Sequence, residues 1–187
     1  MSTQSIHTHT NEDLEFNLTT KVLRNMYGAV KTDALPYILK HMDDYGINNK
    51  KRMASFLASC FIMSCGFRRN AEKFDYCAAR LAKEYPDKVT NIAMAKSVMR
   101  GGEQEVANLI YSNVGGNGNV DSNDGWSYKA RSALQFRGRD NYTIVSDSTG
   151  IDCLNNPEML ESDESYIVSA MAIWQHRGLN EAADQLK

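Results

Sequence analysis

Apolar residues recur at helical spacing through most of this chain. Leu14, Leu18, Val22, Leu23, Met26 and Tyr27 form one such series, and Gly28 follows as a stop. A second helix is predicted from Thr32 or Asp33, either of which can cap it, with Pro36 tolerated in the first turn. Its buried stripe reads Leu35, Ile38, Leu39 and Met42, with His41 and Tyr45 beside it. Gly46 ends it. A third helix opens near Asn49, presents Met53, Phe56, Leu57, Cys60, Met63 and Phe67, and breaks at Gly66. A fourth is expected over residues 70–84, ahead of Pro86, and two short ones over 92–99 and 103–111 around Gly101 and Gly102.

Past the middle the pattern changes. Residues 113–126 are rich in Gly, Asn and Asp and read as a loop. Residues 133–136 and 142–145 are expected to be short extended pieces. Ser162 or Asp163 then caps a last clear helix through Tyr166, Ile167, Ala170, Met171 and Trp174. The expectation is a mainly α protein with a polar N-terminal tail over 1–12 and a single domain over 13–187. A loop as long as 113–126 in a compact domain is usually functional or disordered.

Composition narrows the function classes. The 187 residues are 42% hydrophobic and 24% charged, with a formal net charge of -2, as in an ordinary globular domain. Basic residues are scattered, so no nucleic-acid surface is expected. The run Asn49-Lys50-Lys51-Arg52 reads as a solvated first turn. Met1 to Glu12 lacks a basic region followed by an apolar stretch, and no segment is apolar enough to span a membrane. The chain is therefore expected to be cytoplasmic as synthesised. Cys60, Cys65, Cys77 and Cys153 form no Cys-x-x-Cys pair and stand in no ligand spacing with His7, His9, His41 or His176. Reduced, buried thiols are expected, with no metal and no cofactor.

An ordered series of motifs carries a resemblance. Phe56-Leu57-Ala58-Ser59-Cys60-Phe61-Ile62-Met63-Ser64-Cys65-Gly66-Phe67 is similar to the pattern Phe-Leu-Ala-Gln-x-x-His-Glu-Ser-x-x-Phe. Glu72-Lys73-Phe74-Asp75-Tyr76-Cys77-Ala78 is similar to Glu-Asn-Leu-Asn-Tyr-Ser-Ala. Asn123-Asp124-Gly125-Trp126-Ser127-Tyr128-Lys129-Ala130-Arg131-Ser132 resembles Gly-Asp-Gly-Trp-x-Tyr-x-Gly-Arg-Gly. Gln135-Phe136-Arg137-Gly138-Arg139-Asp140-Asn141-Tyr142 resembles Gln-Leu-Thr-Gly-Arg-x-Asn-Tyr. These patterns are those of glycoside hydrolase family 19, the chitinase and phage-endolysin type, and the likeness runs from about Leu35 to Asp184 in order. It implies a lysozyme-like, two-lobed helical fold around a glycan-binding cleft.

The resemblance also implies a chemistry, and residues for it are missing. Inverting glycosidic hydrolysis needs a carboxylic acid for the leaving oxygen and a carboxylate to activate water. The acid position falls on Met63, and Glu72 is the candidate second carboxylate. No Asp or Glu lies between Asp44 and Glu72. Ile62 replaces a histidine, Arg137 a serine or threonine that positions water, and Ala130 and Ser132 replace glycines. The resemblance places Gln135, Asn141, Tyr142, Trp126 and Tyr128 on the sugar, although Trp126 and Tyr128 read equally well as core anchors. Without the resemblance, Arg139 reads as pairing with Asp140 or a more distant acid.

The expectation is a pseudoenzyme: a catalytically impaired module that binds a peptidoglycan- or chitin-like glycan, or a protein. One alternative is an active endolysin whose acid has moved to Asp75 or Asp124. Another is a structural phage or assembly component, its cleft closed by Phe61, Met63 and Arg137. A phage-encoded protein acting in the host cell fits the endolysin likeness.

Overall fold

In a computed structural model the chain is helical. The structure describes residues 34–186 together with Lys21. The tail expected over 1–12 and the helix expected over 14–27 lie outside the described residues. Nine α-helices follow in order among the described residues: α1 Leu35–His41, α2 Lys50–Met63, α3 Ala78–Glu84, α4 Ile92–Met99, α5 Glu103–Ile110, α6 Asp124–Ser127, α7 Arg139–Thr149, α8 Asp163–His176 and α9 Leu179–Asp184. Short 3-10 turns at Val120–Ser122 and Pro157–Glu161 complete the set. None of the described helices is long and apolar enough to cross a membrane.

Local chemistry explains the boundaries. Asn49 caps α2 by accepting from the Arg52 amide at 3.0 Å, and Asn91 caps α4 by accepting from the Met94 amide at 2.9 Å. Gly138 opens α7 with φ +90, and a Cβ there would lie 2.6 Å from the Gly115 carbonyl oxygen. Only glycine lets the Gly-rich loop pack this closely on the start of α7.

The interior divides into three clusters. Ile38, Ile47, Phe56, Leu57, Cys60, Ile167, Met171 and Trp174 join α1, α2 and α8, with Ala183 of α9. Phe74, Leu81, Val89, Ala95, Val106, Ile110 and Tyr111 hold α3, α4 and α5 together. Tyr128, Phe136, Tyr142, Val145, Cys153, Leu160 and Ile173 pack α7 on the other face of α8. The first and third clusters thus share α8, and the α3–α5 group stands apart from them.

Several expectations are corrected. Residues 70–77 are extended, because the Glu72 amide donates to the Ala130 carbonyl at 2.8 Å and Ala71 bridges Arg131; only Ala78–Glu84 is helical. Residues 142–145 lie within α7, where the i, i+3 pair Tyr142 and Val145 is fully buried. Packing of that face outweighs the β-branched run that suggests a strand. Residues 133–136 form a tight turn closed by the Arg131 amide on the Phe136 carbonyl. Leu39 is 48% exposed, because Ile38 and Met42 take the core side of α1. Two of the cysteines, Cys65 and Cys77, are exposed rather than buried; all four are free thiols. The helix α9 is a further element, docked by Arg52 on Asp184 and by the Trp174 indole on Asn180.

Met63 is corrected too. It is 48% exposed and Ile62 is 73% exposed. The helix ends at Met63, and Ser64, one turn after Cys60, takes the buried position instead. Its hydroxyl donates to the Cys60 carbonyl at 2.6 Å and accepts from the Phe67 amide at 2.8 Å. Cys65, Gly66 and Phe67 then run through three consecutive positive φ values, 53, 76 and 61.

Candidate glycan-binding cleft

The extended segment after α2 forms one wall of an open cleft of about 800 Å³. Cys65, Arg68, Arg69, Asn70, Ala71, Glu72 and Lys73 line it from this segment, and Glu103, Lys129 and Glu161 from elsewhere. A volume of this size suits a small ligand or a few sugar rings.

Glu72 is held from two sides. The Tyr111 phenol donates to its Oε1 at 2.7 Å and reaches Oε2 at 2.9 Å, while the Ala130 amide approaches Oε2 at 3.4 Å. Burial, and then the nearby Glu72 charge, push the Tyr111 hydroxyl far above the ordinary phenol range, so it stays a donor. The Arg137 guanidinium lies 5.0 Å from the centre of the Tyr111 ring. Arg137, Tyr111 and Glu72 therefore form one connected group. Tyr111 is a participant the sequence reading missed, since it ends an apolar helical series and looks like core.

Glu161 accepts from Arg131 Nε at 2.7 Å, and the same guanidinium donates through Nη1 to the Ser127 carbonyl at 2.7 Å and the Tyr142 hydroxyl at 3.0 Å. Lys129 is 9% exposed, and its ammonium sits 3.4 Å from the centre of the Trp126 ring. Burial, and secondarily the Arg131 charge, lower its pKa from the ordinary lysine value. Glu103, Lys129 and Glu161 are cleft residues that the motifs alone do not flag.

The residues placed on the sugar by resemblance behave differently from one another. Tyr142 is fully buried, and its hydroxyl donates to the Lys129 carbonyl at 2.7 Å. Tyr128 is 5% exposed and donates to the Leu154 carbonyl at 3.1 Å. Both are buried anchors in this structure, which for Tyr128 is the core reading that the sequence left open. Gln135 is buried; its amide nitrogen donates to the Arg69 carbonyl at 3.0 Å and the Ser132 carbonyl at 2.8 Å, so it fixes the cleft wall from behind. Asn141 is partly exposed, bonded to the Arg137 carbonyl at 2.7 Å and to Arg177 at 3.1 Å, and is not part of the cleft lining. Trp126 is half-buried against Phe74, with Lys129 over its ring.

Asp124 does not fit the role of a relocated acid. It is 5% exposed, ion-paired to Arg139 at 2.7 Å, and accepts from the Gly118 amide at 2.8 Å. Burial alone would raise its pKa, but Arg139 and Gly118 outweigh it and the net shift is downward. A carboxyl held ionised cannot donate a proton near neutral pH. The distant acid that pairs with Arg139 is this one, and it ties the Gly-rich loop to α7. Asp75 is exposed and lies outside the cleft lining.

Ser132 replaces a family glycine and still adopts φ +72, so the backbone keeps the turn that glycine would make freely. Phe61, Met63 and Arg137 are absent from the lining of this cleft.

No protein-family profile matches the chain. A stretch of 119 residues is 38% identical to a glycosyl hydrolase family 19 domain-containing protein of Haemophilus influenzae, covering 62% of this chain and 57% of that one. The chain is glycoside hydrolase family 19-like. Its helical architecture agrees with the lysozyme-like fold of that family. This family 19-like chain spans little more than half the length of the curated relative it matches.

Proposed function

We propose that this family 19-like chain is a glycan-binding protein whose hydrolytic machinery has been given up. The observation that carries the reading is Met63, a thioether at the position where the resemblance puts the proton donor. General acid catalysis contributes roughly 10²–10⁴-fold to rate, so its loss leaves an intact cleft with little turnover. Asp124 is held ionised by Arg139, and Asp75 lies outside the cleft, so neither supplies the missing group. What remains is suited to binding: an open cleft, a fixed Glu72, and polar side chains from several elements. The ligand class is a peptidoglycan- or chitin-like glycan. Titration calorimetry with N-acetylglucosamine oligomers and with peptidoglycan fragments tests this directly. Saturable binding without product formation supports the reading; absence of binding to both ligand types overturns it.

A second reading is favoured by one observation. Glu103 and Glu161 share the cleft with Glu72, so a carboxylate pair exists there without Met63. In that case the protein is a hydrolase whose acid has moved to one of these two residues. It requires that Glu72→Gln, and either Glu103→Gln or Glu161→Gln, abolish a measurable wild-type turnover.

A further inference from the structure

We propose that Lys129 is the centre of an anion subsite in the cleft, which takes a carboxylate carried by the bound saccharide. The inference rests on the glycan-binding reading and names the class of glycan.

Lys129 lines the cleft yet is more than nine-tenths buried. Among the described residues its ammonium makes no hydrogen bond and no ion pair; its recorded contact is the Trp126 ring at 3.4 Å. A desolvated ammonium without an anionic partner is costly, and a cation–π contact offsets only part of that cost. Glu72, Glu103 and Glu161 stand close by but none is ion-paired to Lys129, and two of the three are committed elsewhere. Glu161 is bound to Arg131, and Glu72 to Tyr111 and the Ala130 amide. Arg68, Arg69 and Lys73, all exposed, line the same cleft. The cleft thus presents one fixed buried cation and three adjustable outer ones. An incoming anion meets attraction at the mouth and a dehydrated partner inside.

The charge balance favours an anion. Four cations line the cleft against Glu72, Glu103 and Glu161, and Arg131 beneath neutralises the last of these. Lys129 at the cleft wall, with the Trp126 ring under its ammonium, is fixed rather than flexible, so it reads one position along a glycan.

Three tetrasaccharides test this by calorimetry with the full chain: the neutral N-acetylglucosamine tetramer, an alternating tetramer carrying lactyl carboxylates, and the same tetramer with those carboxylates converted to amides. The expected result is binding of the acidic tetramer roughly tenfold or more tighter than the other two. Lys129→Met should bring the acidic tetramer down to the level of its amide, while Lys129→Arg keeps part of the preference. Equal wild-type affinity for acid and amide overturns the inference but leaves the glycan-binding reading standing. Binding of none of the three overturns the inference, and the arm with larger peptidoglycan fragments then decides the broader reading. If Lys129→Met does not fold, the wild-type comparison of acid with amide decides alone.

Discussion

The Tyr111 hydroxyl spans both carboxylate oxygens of Glu72, at 2.7 and 2.9 Å, and links the α3–α5 group to the extended cleft wall. One donor thus fixes the orientation of the only motif-assigned carboxylate in the cleft. Tyr111→Phe removes that donor and leaves the packing of the ring intact. The expected cost is about 1 kcal/mol of stability, read as a lower urea midpoint with an unchanged slope. Glycan affinity should fall in parallel, because Glu72 is released to swing. An unchanged midpoint and affinity would show that Tyr111 does not position Glu72.

The turn after α2 carries backbone strain. Cys65, with φ +53, is exposed, so replacing it loses little packing. Cys65→Gly should stabilise the protein by about 0.5–1 kcal/mol, because glycine adopts the left-handed region freely. For a domain of this size that corresponds to roughly 1–4 °C in Tm. A lowered Tm would mean that the Cys65 side chain contributes more than its conformation costs.

Acid stability should depend on Asp184. Its bonds from Arg52, and next from Asn49, hold its carboxyl at about 2, below the ordinary 3.8. A depressed carboxyl stabilises the folded state fully above its unfolded value and loses that contribution as pH falls toward the folded one. The Arg52–Asp184 contribution is therefore present above about pH 4 and disappears toward pH 2. Urea midpoints at pH 5 and pH 2.5 should converge more in Asp184→Asn than in the wild type. Identical pH dependence in the two proteins would remove the pair from the account.

Much of the helical fold was legible in apolar spacing, because α2, α4, α5 and α8 carry caps or glycine stops beside a regular buried face. The misreadings have local causes. Residues 70–77 read as helix in the sequence because their extended form depends on Ala130, nearly sixty positions away. Tyr142 and Val145 read as an extended piece in the sequence because their burial on α8 is a tertiary fact. At the cleft, motif likeness located Glu72, whereas Met63, where it puts the acid, lies outside the lining. It also put Tyr128 and Tyr142 on the sugar, where the structure makes them supports. Lys129, Glu103 and Glu161 belong to the cleft through chain crossings that no spacing reveals, and Tyr111 was hidden in an apolar series.

Met63→Glu restores the missing carboxyl at a half-exposed position, so stability should change by no more than about 0.5 kcal/mol. Turnover should not recover by that change alone. Ile62 and Arg137 also depart from the family pattern, and Met63 is not part of the cleft lining. A gain of about 10²-fold or more, the scale of general acid catalysis, would show that a single group was lacking.

The most direct measurement is turnover by the unaltered chain. Purified protein is incubated with peptidoglycan and with N-acetylglucosamine oligomers, and new reducing ends are counted beside a matched binding titration. The account predicts saturable binding with no new reducing ends above the uncatalysed background. Hydrolysis at about 1 s⁻¹ or faster, within the ordinary range of enzymes, would contradict it.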